Sequence, residues 1–407
     1  MAGMPKTRVQ STTNRERDEL KSIRKPVVFL GAVMVVYILY IVFSGQLDEF
    51  VGALAGVDIW WVVRGAACML CYYLLGVTGY AVPVSRDKDS PLGFRDLMSA
   101  EAAGIFFSYL SPGGAGSAPA RIYRLTRAGL TVGAASALQC TRYIIYEAAE
   151  GIFAAIMLIF RYQYFVSTVG NFAVIGLVLF GAKIIAVTGL ILFCVFPRFV
   201  RRIGNTGIRL LEKTPLKLDY AGWRDALNNQ SQEFSDGFKT SAKDWKMMAF
   251  AVLISMSQLT CQYALGWFVA HAFGFHDADL VTCLAAGSML ELLTSAVPLP
   301  GGEGGAEVGF AMLFGPIFGS TVSASYVVWR FIEYVLPILA AVPLLGLRSR
   351  GGSNVYQRLV RIKHAFDRFL AGLPGMRRRK VSGGIRFTPK KADKPQKADS
   401  SEKDDRK

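Results

Sequence analysis

Two arginines stand inside long apolar runs, Arg142 and Arg330, and each follows a glycine-rich break at the same distance. The breaks are Pro112-Gly113-Gly114-Ala115-Gly116 and, 188 residues later, Pro300-Gly301-Gly302-Glu303-Gly304. The same offset carries Ala118 onto Ala306, Leu125 onto Leu313, Ile144 onto Ile332 and Tyr146 onto Tyr334. Nine of the 35 positions from 112 to 146 are identical, which points to a duplication. The chemistry these residues suit is anion binding. A guanidinium grips a phosphate with two parallel hydrogen bonds. A helix that starts at a glycine break presents unpaired N–H groups and the positive end of its dipole. Each feature also has a structural alternative. The glycines would let helices pack closely, and the arginines would pair with Glu147 and Glu333.

Ionisable groups inside a membrane cost about 2.5–3.5 kcal/mol each on the insertion scale, so they face a cavity or one another. Glu150 and Lys183 fall under this rule, and Lys183 has no partner nearby in its own segment. Glu303 and Glu307 either complement the start of the helix after the second break, or read a cationic headgroup or carry a proton. Tyr146 and Tyr334 follow the arginines by four residues, on the same helical face, where aromatic packing is the simpler role.

The chain that holds these groups is 52% hydrophobic over 407 residues, with a mean hydropathy of +0.34. Windows of about 20 apolar residues define a polytopic all-α membrane protein. Full spans are expected at 27–44, 60–84, 131–160, 171–196, 247–273 and 319–347. Residues 97–127 and 280–318 are apolar but broken into halves too short to cross. Each is expected as a re-entrant helical hairpin with its glycine turn at the tip. The net charge of +16 lies between and beyond the spans, which fits positive-inside topology rather than nucleic-acid binding. Both termini and the loop 197–246, with ten Lys/Arg, are therefore expected in the cytoplasm. Residues 45–59 carry no Lys or Arg and belong outside.

Residues 1–26 form a polar N-terminus, expected to be disordered. The domain 27–347 holds the spans, and 348–407 form a basic tail. Val355, Leu359, Ile362, Phe366 and Leu370 recur there at helical spacing, as in an amphipathic helix that lies on anionic inner-leaflet lipids or packs on the cytoplasmic loop. From Lys390 onward the composition is low-complexity and reads as disordered. The six cysteines are scattered and read as packing residues.

Three crossings separate the hairpins, so the second copy enters from the opposite face. This is the inverted-repeat logic of secondary transporters, which place their substrate where broken helices meet near the midplane. The chain resembles the lysylphosphatidylglycerol synthase transmembrane region family of flippase-like proteins. The resemblance rests on Ser111-Pro-Gly-Gly-Ala-Gly116 with Ala120-Arg-Ile-Tyr-Arg-Leu125, on Pro298-Leu-Pro-Gly-Gly-Glu-Gly-Gly-Ala-Glu307, and on Trp329-Arg-Phe-Ile-Glu-Tyr-Val-Leu-Pro337. It covers roughly residues 25–347 and implies movement of a phospholipid across the cell membrane. Only 60 residues follow the last expected span, so the resemblance implies the translocase region alone.

The expected activity is therefore lipid or lipid-linked-headgroup translocation by alternating access. An ion or small-solute transporter of the same architecture is the alternative. A membrane enzyme is the weakest reading: the sequence has no Gly-x-Ser-x-Gly and no metal-spaced His/Cys/Asp cluster. No cofactor or nucleotide site is expected.

Overall fold

A computed structural model describes residues 55–169, 172–196, 201–202, 205–206, 208–209, 220–295, 302, 304–349, 354–372, 376–381 and 384–389. The N-terminus 1–26, the first expected span at 27–44, Pro300, Gly301, Glu303 and the tail from Lys390 lie outside the described residues.

The helices are α1 (Ile59–Val84), α2 (Phe94–Leu110), α3 (Ser117–Arg127), α4 (Val132–Phe160), α5 (Tyr162–Val169), α6 (Phe172–Val195), α7 (Tyr220–Lys243), α8 (Trp245–Tyr263) and α9 (Leu265–Ala272). They continue as α10 (Leu280–Ser295), α11 (Gly305–Phe318), α12 (Val322–Arg330), α13 (Leu336–Leu345) and α14 (Val355–Gly372). Polar residues set several starts. Asp58 accepts from the Trp60 N–H at 2.9 Å, Thr131 from Ala134 at 3.2 Å, Asp244 from Met247 at 3.0 Å and Asp279 from Thr282 at 2.9 Å. Such caps satisfy donors that the first helical turn leaves open.

Four helical stretches are long and apolar enough to cross a membrane: Ile59–Val84, Val132–Phe160, Trp245–Ala272 and Gly305–Leu345. The expected span 171–196 is helical as α6, with Phe180–Leu192 as its apolar part. The boundary expected between the second hairpin and the last span, at 318/319, is a kink rather than a loop. Gly319 has φ 53°, and a short 3-10 turn, Gly319–Thr321, leads straight into α12. A π turn, Phe331–Val335, then joins α12 to α13. Pro337 explains it: proline offers no N–H to the carbonyl four residues back and its ring crowds that carbonyl, so the helix widens over one turn. The tail holds the expected helix α14. It also forms an antiparallel hairpin of β1 (Met376–Val381) and β2 (Gly384–Pro389), which the sequence reading did not foresee.

The two halves match in element positions as well as in sequence. An offset of 188 carries the start of α3, Ser117, onto Gly305, the start of α11, and the range of α1 onto that of α8 and α9. These matching helices lie side by side and antiparallel. At one end the Asp58 N–H donates to the Ala272 carbonyl at 2.9 Å, midway Cys68 reaches the Cys261 carbonyl at 3.4 Å, and at the other end Arg86 pairs with Asp244 at 3.4 Å. The halves also exchange partners. From α2, Ser99 donates to the Leu345 carbonyl at 2.8 Å, and the Tyr334 hydroxyl donates to the Tyr109 carbonyl at 3.1 Å, so α2 of one half packs on α13 of the other. Reciprocally α10 packs on α4, with Arg161 and Asp279 paired at its end. The principal buried cluster stacks Phe310, Phe314, Phe318, Tyr326 and Trp329 around α11. Outward faces carry exposed Leu70, Ile159, Ile184, Ile185 and Leu253, as a lipid-facing surface requires.

Candidate functional site

The first glycine break is a turn between α2 and α3, and the described glycines of the second lie between α10 and α11. Gly113, Gly114, Gly302 and Gly304 have φ of 55°, 68°, 66° and 79°, a region only glycine enters without strain. The equivalent pair Gly114 and Gly302 share it to within a few degrees, so the duplicated sequence encodes a duplicated turn. The first turn differs in one respect from the sequence reading. Four of its N–H groups are taken up within the turn rather than offered to an anion. Those of Gly114, Ala115 and Ser117 bond to the carbonyls of Ser111, Pro112 and Gly114, and that of Gly116 bonds to the Ser111 hydroxyl at 2.8 Å. Pro119 has no N–H at all. A tight glycine turn satisfies its donors internally, which moves the burden of anion binding onto side chains.

Both turns open on one cavity of about 510 Å³. Gly113, Gly114, Gly302, Arg142, Arg330, Glu150, Lys183 and Glu333 line it together, although the sequence spreads them over more than 200 positions. Pro112, Gly116, Gly304 and Glu307 are not in its wall, and Glu307 is exposed on the first turn of α11. Pro300, Gly301 and Glu303 are outside the described residues.

The charges sort into distinct environments. Arg142, 6% exposed, has no carboxylate partner among the described residues. Its guanidinium donates to Gln258 Oε1 at 2.5 Å and to Ser255 Oγ at 3.4 Å, and its Nε has no partner. The rings of Tyr80 and Tyr146 flank it at 5.8 and 5.2 Å, a cation–π setting. Gly79 supplies the room: a Cβ there would collide with the guanidinium. Glu147, one expected partner of Arg142, pairs instead with Lys183 at 2.5 Å, because Lys183 reaches across from α6 to hold Glu147 and Glu150 (2.9 Å) together. Arg330 does pair with Glu333, at 3.5 Å, and lies over the Tyr334 ring at 4.2 Å.

Several lining residues escaped the sequence reading. Glu101 on α2 and Arg121 on α3 pair at 3.1 Å and tie the arms of the first hairpin together, with Gly76 and Gly104 making space for them. Gln262 donates to Glu291 at 3.2 Å and to Glu333 at 3.4 Å, joining α8, α10 and the π turn. A carboxylate isolated in an apolar helix, as Glu101 and Glu291 are, was the available signal. The glutamines and tyrosines gave none, since polar neutral residues are common in packed membrane helices.

Fold and site together define a helical, multi-pass membrane protein. Helices related by the sequence repeat, α1 against α8 and α9, run antiparallel, and residues of both halves line one charged cavity. The chain belongs to the lysylphosphatidylglycerol synthase TM region family, whose model matches residues 28–341. No curated protein matches the chain.

Proposed function

We propose that this protein moves a phospholipid, or a lipid-linked headgroup, across the cell membrane by alternating access. The phosphate binds at Arg142, between the two glycine turns. The observation that carries the reading is the buried Arg142 guanidinium, aimed into the shared cavity with only neutral partners. A buried cation without an acid is costly, and an incoming phosphate offsets that cost with charge-assisted bonds. Antiparallel halves around this cavity support six spans with two re-entrant hairpins as an inverted repeat, with both termini cytoplasmic. Anionic inner-leaflet lipids under the basic tail remain part of this reading. The protein acts as a carrier that makes and breaks no covalent bond.

One feature favours lipid over the alternative, a small solute or ion. Tyr143, 44% exposed, lines the cavity beside Ala182, Lys183 and Ala186 of α6. The cavity thus reaches the bundle's outer surface halfway along two apolar helices, where an opening meets hydrocarbon rather than water.

The test is reconstitution in liposomes with fluorescent phospholipids in one leaflet, read by quenching from outside. Wild type should equilibrate the label, and Arg142→Gln should slow it roughly tenfold or more, the equivalent of a charge-assisted bond of about 1.5–3 kcal/mol. Arg142→Lys should recover part of the rate. Solute flux without lipid movement would replace this reading with the small-solute one.

A further inference from the structure

Among the described residues, the charged groups around the cavity do not balance. Glu101, Glu147, Glu150, Glu291 and Glu333 face it, against Arg121, Arg142, Lys183 and Arg330. Glu101 and Glu333 each have an arginine, and Glu147 and Glu150 share one lysine. Glu291 has only the Gln262 amide among the described residues. The inference rests on the functional reading above. Once a lipid phosphate occupies Arg142, three cations remain for five carboxylates. Uncompensated charge in a buried site is expensive, so something positive must enter.

The surroundings of Glu291 are built to receive it. Glu291 sits near the C-terminal end of α10, which stops at Ser295 before the second turn, so the negative end of the helix dipole adds to the carboxylate. Thr294 and Ser295 line the same wall. Independently, the Tyr263 hydroxyl is 2% exposed, lines the cavity and has no hydrogen-bond partner among the described residues. Tyr263 packs against α10 at Gly287, one turn before Glu291. An unpaired buried hydroxyl in a wall shared with Glu291 and Glu150 offers an oxygen to a cation, and its cost is removed once a cation is bound. Broken-helix C-termini holding a cation opposite an anion site is a known physical solution in membrane carriers.

We propose that Glu291, the Tyr263 hydroxyl and the end of α10 form a site for a monovalent cationic group, which enters with the phosphate. The groups facing Glu291 are Glu150, Glu147 and Lys183 from α4 and α6, Glu333 and Arg330 from the last helices, Gln262 and Tyr263 from α8, and Tyr72 from α1. Three sources share the chemistry: sodium or potassium, a proton, and an ammonium group on the lipid itself.

The experiment measures thermal stability of the purified full chain in detergent, with three arms. Sodium or potassium replaces choline at constant ionic strength. The pH is stepped from 5 to 8 in choline alone. Soluble headgroup phosphodiesters with and without an amine are added at fixed pH. The expected result is a saturable stabilisation in one arm, weakened roughly tenfold in Glu291→Gln and in Tyr263→Phe, and partly restored by Glu291→Asp. The responding arm names the source. Should Glu291→Gln prove unfolded, Tyr263→Phe decides alone, since it deletes one oxygen. No response in any arm, or responses identical in wild type and Tyr263→Phe, overturns the site. Lipid movement in liposomes is scored separately. Saturable cation binding without lipid movement sinks the functional reading and leaves the site. Lipid movement without Glu291- and Tyr263-dependent cation binding does the reverse.

Discussion

The two hairpins share a backbone and differ in chemistry. In the first, α2 and α3 are joined by the buried Glu101–Arg121 pair, and Arg124 bonds to Ser99 and to the Leu345 carbonyl. In the second, α10 and α11 meet through hydrocarbon: Leu313 is fully buried, Phe310, Phe314 and Phe318 stack, and Gly309 lets Leu290 close in. Position 121 matches Gly309 across the repeat, so the cation of one half is a packing glycine in the other. The repeated arginines diverge likewise. Arg330 has its carboxylate three residues on, whereas Ile145 stands at the matching place after Arg142. Duplication therefore supplied a symmetric frame, and side-chain divergence made the two halves chemically unequal. The first half contributes a guanidinium with neutral partners to the cavity, and the second packs an aromatic stack behind its turn.

The largest expected effect tests whether charge holds the first hairpin. Glu101→Gln or Arg121→Met strands a buried charge and should cost about 3–5 kcal/mol, seen as a large drop in melting temperature in detergent. Glu101→Leu with Arg121→Met should be far milder, because no lone charge remains. A double variant as unstable as the single ones would mean that the pair packs the arms rather than charging them.

Next comes the divergence of the arginines. Arg142→Gln should slow lipid movement about tenfold or more while leaving the melting temperature nearly unchanged, since it strands no acid. Arg330→Gln should destabilise, because it abandons Glu333, and Arg330→Gln/Glu333→Gln should recover stability. Equal transport and stability profiles for the two arginine variants would erase the proposed difference between the halves.

The smallest effect concerns what the halves still share. Gly114→Ala and Gly302→Ala each force a side chain into the left-handed region, at about 1–2 kcal/mol. Melting temperatures should fall by similar amounts. A Cβ would lie 3.0 Å from Ser108 Oγ in the first turn and 3.1 Å from the Thr294 Cβ in the second, so crowding is comparable. A clearly unequal pair would show that the turns carry different loads.

The sequence by itself determined the four stretches long and apolar enough to cross, the glycine breaks and the duplicated arginines. Each depends on local composition: twenty apolar residues make a crossing helix in lipid, and a Pro-Gly-Gly break ends one wherever it falls. Gly113, Gly114, Gly302, Arg142, Arg330, Glu150, Lys183 and Glu333 stood out in the sequence for the same reason, being costly or helix-breaking in an apolar context, and they line one cavity. Only the tertiary structure decided how the charges pair. It gave Glu147 to Lys183 rather than Arg142, bridged Glu101 to Arg121, and left the Tyr263 hydroxyl without a partner among the described residues. Those outcomes depend on which helices lie side by side and on where Gly76, Gly79 and Gly104 leave room for a buried side chain. Partner choice inside a membrane is a matter of a few ångströms between segments far apart in the chain, and no periodicity along the chain encodes that distance.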